Sequence, residues 1–130
     1  MRGPRPEEER CFAALRRLRW PSGIVCPRCG YKRVTTHSKF TRSPRRRYLC
    51  LGCRRTFTDL TGTPLTRTNL PLRSWFLYLR FRKEGGSTSD LARALGVKWD
   101  TIAHMTRRLS RTPEWLAHLD DAMERLRHDG

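Results

Sequence analysis

Two cysteine pairs constrain this chain more than anything else in it. Cys26-Pro27-Arg28-Cys29 and Cys50-Leu51-Gly52-Cys53 each place two residues between their thiols, with twenty residues between the pairs. A C-x2-C turn brings two sulfurs onto one ion, because the intervening amides fold back toward the sulfurs. Two such turns complete the tetrahedral sulfur shell that Zn2+ favours, with Zn–S near ~2.3 Å. The spacing therefore reads as a zinc ribbon holding one Zn2+ through Cys26, Cys29, Cys50 and Cys53. With four protein ligands no coordination position is open, so the ion is structural. A redox pair, an iron centre or unconnected thiols are the other readings of the same spacing. Gly30 after the first pair and Gly52 inside the second suit the positive φ that such turns often need. His37, between the pairs, reads as a surface histidine because the shell is already full. Cys11 reads as a small apolar packing residue on a helix.

Around this centre the chain reads as a small α+β protein. Residues 7–18 (EEERCFAALRRL) suit a helix that is acidic in its first turn and basic in its last, matching the helix dipole. Short β-type runs follow at Val34–Thr36, Arg47–Leu49 and Thr56–Thr58. The basic, turn-like stretch Thr41–Arg47 between them is a candidate for disorder until a ligand binds. From Asn69 the pattern turns helical, with Pro71 in the first turn and Leu72, Trp75, Phe76 and Leu79 at i, i+3, i+4, i+7. Gly85–Gly86 end that element. Helices over Thr88–Leu95 and Trp99–Ser110 come next. Thr112-Pro113-Glu114 then starts a last helix with Leu116, Leu119, Met123 and Leu126 on its apolar face. The expected organisation is a lead-in helix over 1–23, the zinc ribbon over 24–60, a linker over 61–69, a helix-turn-helix over 70–111 and a C-terminal helix over 112–130. That last helix either closes over the preceding helices or mediates a homodimer.

Charge narrows the partner. The 130 residues carry 28 Lys and Arg against 12 acidic residues, a formal net charge of +16. Self-repulsion of that size points to a polyanionic partner. No acidic residue occurs from Cys11 to Thr58, whereas arginine and lysine recur throughout that stretch. Arginines that merely solvate a surface are the bland alternative, but such a surface would carry Asp and Glu as well. No apolar run approaches the ~20 residues of a membrane span, and MRGPRPEEER lacks the apolar stretch of a signal peptide. The expected location is the cytoplasm, in association with the nucleoid, where thiols stay reduced and available to metal.

Ser87–Leu109 (STSDLARALGVKWDTIAHMTRRL) reads as a helix-turn-helix. Ser87 and Asp90 form a capping box. Leu91, Leu95, Val97, Ile102 and Met105 supply the core between the two helices, and Gly96 allows the left-handed turn that joins them. An ordinary helical hairpin is the plainer alternative. With Ile102, Met105 and Leu109 inward, Asp100, His104, Arg107 and Arg111 face outward, with Ala103 and Arg108 on the flanks. These residues, with Lys98 at the helix start, are the candidate contacts to double-stranded DNA. Arg107 can take a guanine edge and Asp100 can accept from a cytosine amine. Asp100 can equally complement the helix dipole. Arg45, Arg46 and Arg47 are the candidate phosphate contacts from the ribbon.

The segments RWPSGIVCPRCG (Arg19–Gly30), CRRTFTDLTGTPL (Cys53–Leu65), LPLRSWF (Leu70–Phe76) and LARALGV (Leu91–Val97) resemble, in order and spacing, the N-terminal region of insertion-sequence transposases that carry a zinc ribbon. The resemblance covers roughly residues 7–111. It implies that the four paired cysteines bind zinc and that the helix-turn-helix recognises transposon-end DNA. Such transposases continue into an RNase-H-like domain whose carboxylates hold two Mg2+ ions. Here the late carboxylates Asp120, Asp121, Glu124 and Asp129 fall on or near one helix with no sheet to carry them, so no catalytic residue is transferred. The expectation is a stand-alone DNA binder or regulator that is not itself an enzyme. A DNA-binding part of a transposition enzyme with a separate catalytic subunit is the second reading, and a zinc-ribbon RNA or protein adaptor the third.

Overall fold

The computed structural model of the chain describes residues 6–40, 43–66 and 68–129, and the side chains of Pro6, Lys39 and residues 127–129 are outside that description. Thr41 and Arg42, at the start of the basic stretch expected to be disordered, thus lie outside the described residues, as do residues 1–5 of the lead-in. The order is α1 (Pro6–Arg19), β1 (Val34–Lys39), β2 (Arg46–Cys50), β3 (Thr56–Thr58), α2 (Leu72–Lys83), α3 (Thr88–Leu95), α4 (Trp99–Ser110) and α5 (Pro113–Asp129). The strands form one antiparallel sheet in the order β1-β2-β3. Its register runs Val34↔Cys50 to Lys39↔Arg46 on one side of β2 and Arg47↔Thr58 to Leu49↔Thr56 on the other. A β-bulge interrupts the first pairing between Thr36 and Ser38, at His37. An extra residue there leaves the ladder unpaired locally and bends the strand.

Two cores form. In the ribbon, Tyr48 and Phe57 pack beside Cys26 and Cys50, flanked by Trp20, Ile24 and Val34. The rings of Trp20, Tyr48 and Phe57 meet with centroids 5.2–6.1 Å apart, the separation that edge-on and tilted aromatic pairs favour. The larger core joins all five helices. Cys11, Phe12 and Leu15 of α1 lie among Leu72, Trp75 and Leu79 of α2, Leu91 of α3, Ile102 and Met105 of α4, and Leu119 and Met123 of α5. The helix that precedes the ribbon in the chain therefore packs with the helices that follow it. Cys11 is buried there, and burial, with Glu8 nearby, pushes its thiol up to about 12, as expected of an inert packing residue. The stretch 61–69 is more than a connection, since Leu65 and Thr63 are buried in it. The Thr63 hydroxyl donates to the Leu60 carbonyl at 2.7 Å and accepts from the Leu65 amide at 3.1 Å, fixing a turn that aims Leu65 inward.

α3 and α4 keep the boundaries expected of them, and their local chemistry explains why. The Ser87 side chain accepts from the Asp90 amide at 3.1 Å and the Asp90 carboxylate accepts from the Ser87 amide at 3.3 Å, closing the capping box. Gly96 ends α3 at φ 68°, a left-handed conformation that costs glycine nothing. On α5 the buried stripe is Leu119, Ala122 and Met123, with Trp115 and Leu126 packed against the core. Leu116, expected on that face, stands 39% exposed. α5 covers α1, α2 and α4 within the same chain.

The start of α2 has a cap that comes from far away in sequence. Pro71 occupies the N-cap position and offers no side-chain bond. Glu8 of α1 supplies it instead, its carboxylate accepting from the amides of Leu72 at 2.6 Å and Arg73 at 2.9 Å. A buried carboxylate at a helix N-terminus satisfies orphan donors and complements the dipole together. Replacing Glu8 with alanine is expected to cost about 1–3 kcal/mol, because two amides lose their acceptor in a closed interface. Chemical denaturation should place Glu8→Gln between this variant and the parent. If Glu8→Ala unfolds at the parent midpoint, the cap is energetically idle.

Candidate metal centre and basic helix face

The four sulfurs of Cys26, Cys29, Cys50 and Cys53 lie within 4.8 Å of one another. Cys26 Sγ is 3.8 Å from Cys53 Sγ, and Cys29 Sγ is 3.5 Å from Cys50 Sγ. A tetrahedron with Zn–S bonds of ~2.3 Å has edges of ~3.8 Å, so these two pairs stand close to the edge length of a zinc shell. One structural Zn2+ fits this centre.

The two knuckles repeat the same backbone pattern. The Cys26 amide donates to the Tyr31 carbonyl and the Gly30 amide donates back to the Cys26 carbonyl, at 3.0 and 2.9 Å. Cys50 does the same with Arg55 and Arg54, both at 3.0 Å. Amides also point at sulfur: Arg28 at Cys26 Sγ (3.4 Å), and Gly52 and Cys53 at Cys50 Sγ (3.3 and 3.4 Å). Burial alone would push the Cys26 thiol up. The Cys29 and Arg28 amides, and the Cys29 and Cys50 thiols, outweigh it and bring it down to about 6. The Cys50 thiol is likewise lowered, its burial outweighed by the Cys53 and Gly52 amides, whereas the Cys29 thiol, against the Tyr31 amide, is pushed up to about 11 beside the Cys50 and Cys26 sulfurs.

The glycines divide their work differently from the sequence reading. Gly30 has φ 76°, as expected, but Gly52 does not take a positive φ. Its place in the second knuckle falls to Arg54, the described non-glycine residue at positive φ, 65°. Gly52 is needed for space, because a Cβ there would lie 2.8 Å from Cγ of Tyr31. The repeat explains the difference, since Gly30 and Arg54 each follow the first cysteine of their knuckle by four residues.

His37 is exposed on β1, with Nδ1 3.4 Å from the Ser38 hydroxyl, and takes no part in the cluster. The three ribbon arginines part company. Strand β2 begins at Arg46, one residue before the expected Arg47, and Arg46 is exposed while Arg45 and Arg47 are half-buried. The guanidinium groups of Arg45 and Arg47 lie 5.3 and 4.9 Å from the centroid of Phe40.

A residue that the sequence reading passed over organises the ribbon's attachment. Asp59 is fully buried, and its carboxylate accepts from Arg16 Nε and Nη2 (3.1 and 2.9 Å), the Arg46 amide (2.8 Å) and the Tyr48 hydroxyl (2.6 Å). Arg19 donates to its carbonyl at 2.8 Å. Burial, reinforced by this carboxylate, pushes the Tyr48 phenol up to about 12. The available signal was that Asp59 is the first acid after the acid-free run from Cys11 to Thr58.

On the helical side, Lys98, Asp100, His104, Arg107 and Arg111 are exposed, and Arg108 is half-buried. Arg108 Nη1 donates to the Pro64 carbonyl at 3.0 Å, which ties α4 to the segment after the ribbon. Lys98 stands at the N-cap position of α4 without a side-chain capping bond. On α5, Asp120 and Glu124 take Lys83 at 3.1 and 3.7 Å, and the side chain of Asp129 lies outside the described residues. Among the described residues no helix is long and apolar enough to cross a membrane.

Residues 6–56 match the family model described as the transposase zinc-ribbon domain. An uncharacterized protein in transposable element ISH50 of Halobacterium salinarum is 32% identical over 108 residues, covering 80% of this chain and 35% of that protein. The chain thus spans about a third of the length of the curated relative it matches. No solved structure matches it. Sulfur geometry and family match converge on one segment: residues 6–56 carry a transposase-type zinc ribbon.

Proposed function

We propose that this chain binds double-stranded DNA as the end-recognition part of a transposition system, with α4 in the major groove and ribbon arginines on the phosphates. The observation that carries the reading is the outer face of α4. Asp100, His104, Arg107 and Arg111 stand exposed there, with Lys98 at the helix start, on a helix set by the Gly96 turn in a chain of net charge +16. A helix held this way can present its outer side chains to base edges, while scattered cations supply the sequence-independent attraction. The location that fits is the nucleoid.

Two versions of the reading differ in where catalysis sits. In the first the chain acts as a stand-alone binder or regulator. In the second it serves an enzyme whose catalytic residues lie elsewhere, and the curated relative, nearly three times as long as the stretch it shares, favours this version. Adding Mg2+ and transposon-end duplex separates them, since only the second requires nicking or joining once the missing part is supplied.

Binding itself is tested by titrating duplex at several salt concentrations. If five to eight phosphates are neutralised, log affinity falls against log salt with a slope of about −5 to −7. Arg107→Ala is expected to relax base preference at one position by about 5- to 150-fold. Arg46→Ala is expected to weaken all duplexes alike and lower the slope by about 1. A flat salt response would sink the DNA reading, and identical behaviour of the two variants would sink the assignment of their roles.

A further inference from the structure

Beside α4 lies an open cleft of about 530 Å3, a size typical of small-ligand sites. One wall is α4 and the other is the segment Thr68–Leu70 before α2. Its deeper surface is apolar, from Leu70, Trp75 and Met105. Its polar groups differ in what they are free to do. The Thr68 hydroxyl oxygen accepts from Trp75 Nε1 at 2.9 Å and from the Leu70 amide at 3.1 Å, which uses both of its acceptor positions. Arg108 is partly committed through Nη1 to Pro64. Asn69, Asp100 and His104 are exposed side chains that line the cleft.

The spacing of α4 divides its outer surface. Asp100, His104 and Arg108 recur every four residues and share the cleft side. Trp99, Ala103 and Arg107, offset by one position, make a separate stripe, on which Trp99 is 55% exposed. A cleft meant only for phosphate would be lined by donors alone. This one includes a carboxylate, which accepts hydrogen bonds and repels oxygen. An ionised Asp100 therefore disfavours phosphate, and it disfavours guanine O6 and thymine O4, which are acceptors in the major groove. It suits the exocyclic amines of cytosine N4 and adenine N6. Across the cleft, the Asn69 amide can donate to adenine N7 while Asp100 accepts the one N6 proton left by the Watson–Crick pair, and cytosine has no such acceptor beside its amine. The apolar deeper surface accommodates the carbon edge of the base.

We propose that this cleft reads one adenine, with Asp100 and Asn69 as specificity-determining residues and Asn69 acting from outside the helices. The proposal rests on the duplex-DNA reading. The segment before α2 becomes a second reading element beside α4, so a site read by this protein is wider than one helix contacts.

The test is selection from randomised duplex by the full zinc-loaded chain, repeated with Asp100→Asn and with Asn69→Ala. The parent is expected to show an A·T pair at one position. Both variants are expected to lose that preference at the same position by about 5- to 150-fold, while Arg107→Ala relaxes a different one. Asn69 is exposed and outside every helix, so Asn69→Ala keeps the test informative should Asp100→Asn disturb the start of α4. Equal thermal midpoints show that each variant is folded. Unchanged profiles in both variants, losses at separate positions, or a G·C pair at the shared position would overturn the proposal while leaving duplex binding intact. A parent that binds no duplex would overturn the underlying reading instead, and this proposal with it.

Discussion

Cys50→Ser is expected to unfold residues 24–58 while the five helices stay folded. Cys50 is fully buried, pairs its backbone with Val34 and Arg55, and places its sulfur 3.5 Å from that of Cys29. Around it the ribbon buries Tyr48 and Phe57 beside the paired cysteines, too little apolar surface to offset the entropy of ordering this many residues. The ion supplies the remainder. Structural zinc in small modules contributes roughly 10–16 kcal/mol of apparent binding free energy at neutral pH, and that energy is available only to the folded form. A serine oxygen in place of one thiolate forfeits much of it. The helical core has its own buried leucines and aromatics, so far-UV circular dichroism should keep its helical signal. Zinc content should fall below one per chain, and the fluorescence of Trp20, packed on Tyr48 and Phe57, should shift to that of a solvated indole. Chelation of the parent should reproduce the same state. A Cys50→Ser protein with one tightly held zinc and the parent's melting curve would show that the centre is not what folds the ribbon.

What could be read in advance was what short-range chemistry dictates. The C-x2-C spacing fixed the knuckles, because two residues between thiols leave few ways to aim both sulfurs at one point. Ser87, Asp90 and Gly96 fixed α3 to the residue, since cap and turn residues act on amides within four positions. The stripe Leu72, Trp75, Phe76, Leu79 marked the face of α2 that is buried. What escaped were carboxylates acting at a distance. Glu8 reads as one of three acids complementing the dipole of α1, and nothing local says that it caps a helix starting 64 residues later. The second knuckle misled for a related reason. A glycine inside a turn suggests positive φ, but Gly52 answers to the Tyr31 ring, which arrives from the other knuckle. The cleft beside α4 likewise needs Asn69 and Asp100 brought together from separate elements, a juxtaposition that helical periodicity cannot supply.

Asp59→Ala is expected to lower stability by about 3–5 kcal/mol, the range for removing one partner of a buried ion pair. The loss comes less from missing attraction than from what is left behind. Arg16 keeps a side chain only 15% exposed, with a positive charge and no carboxylate beside it. Tyr48, 1% exposed, keeps a hydroxyl with no acceptor, and the Arg46 amide loses its bond as well. Each unsatisfied buried donor adds roughly 1–3 kcal/mol, so the total lies at the top of what single changes do. In a chain of 130 residues this corresponds to a fall in Tm on the order of 10–20 °C. The position of the group makes the result diagnostic. Asp59 follows the last strand of the zinc ribbon, and Arg16 belongs to α1, whose other face is buried among the remaining helices. The carboxylate therefore joins the metal-held sheet to the helical core, and its loss should separate their melting into two transitions while zinc stays bound. Tyr48→Phe, which removes a single donor from a carboxylate that retains three others, should cost only about 1–2 kcal/mol and keep one transition. If Asp59→Ala melts in one step near the parent temperature, the two halves are held together by packing alone, and α1 needs no anchor in the ribbon.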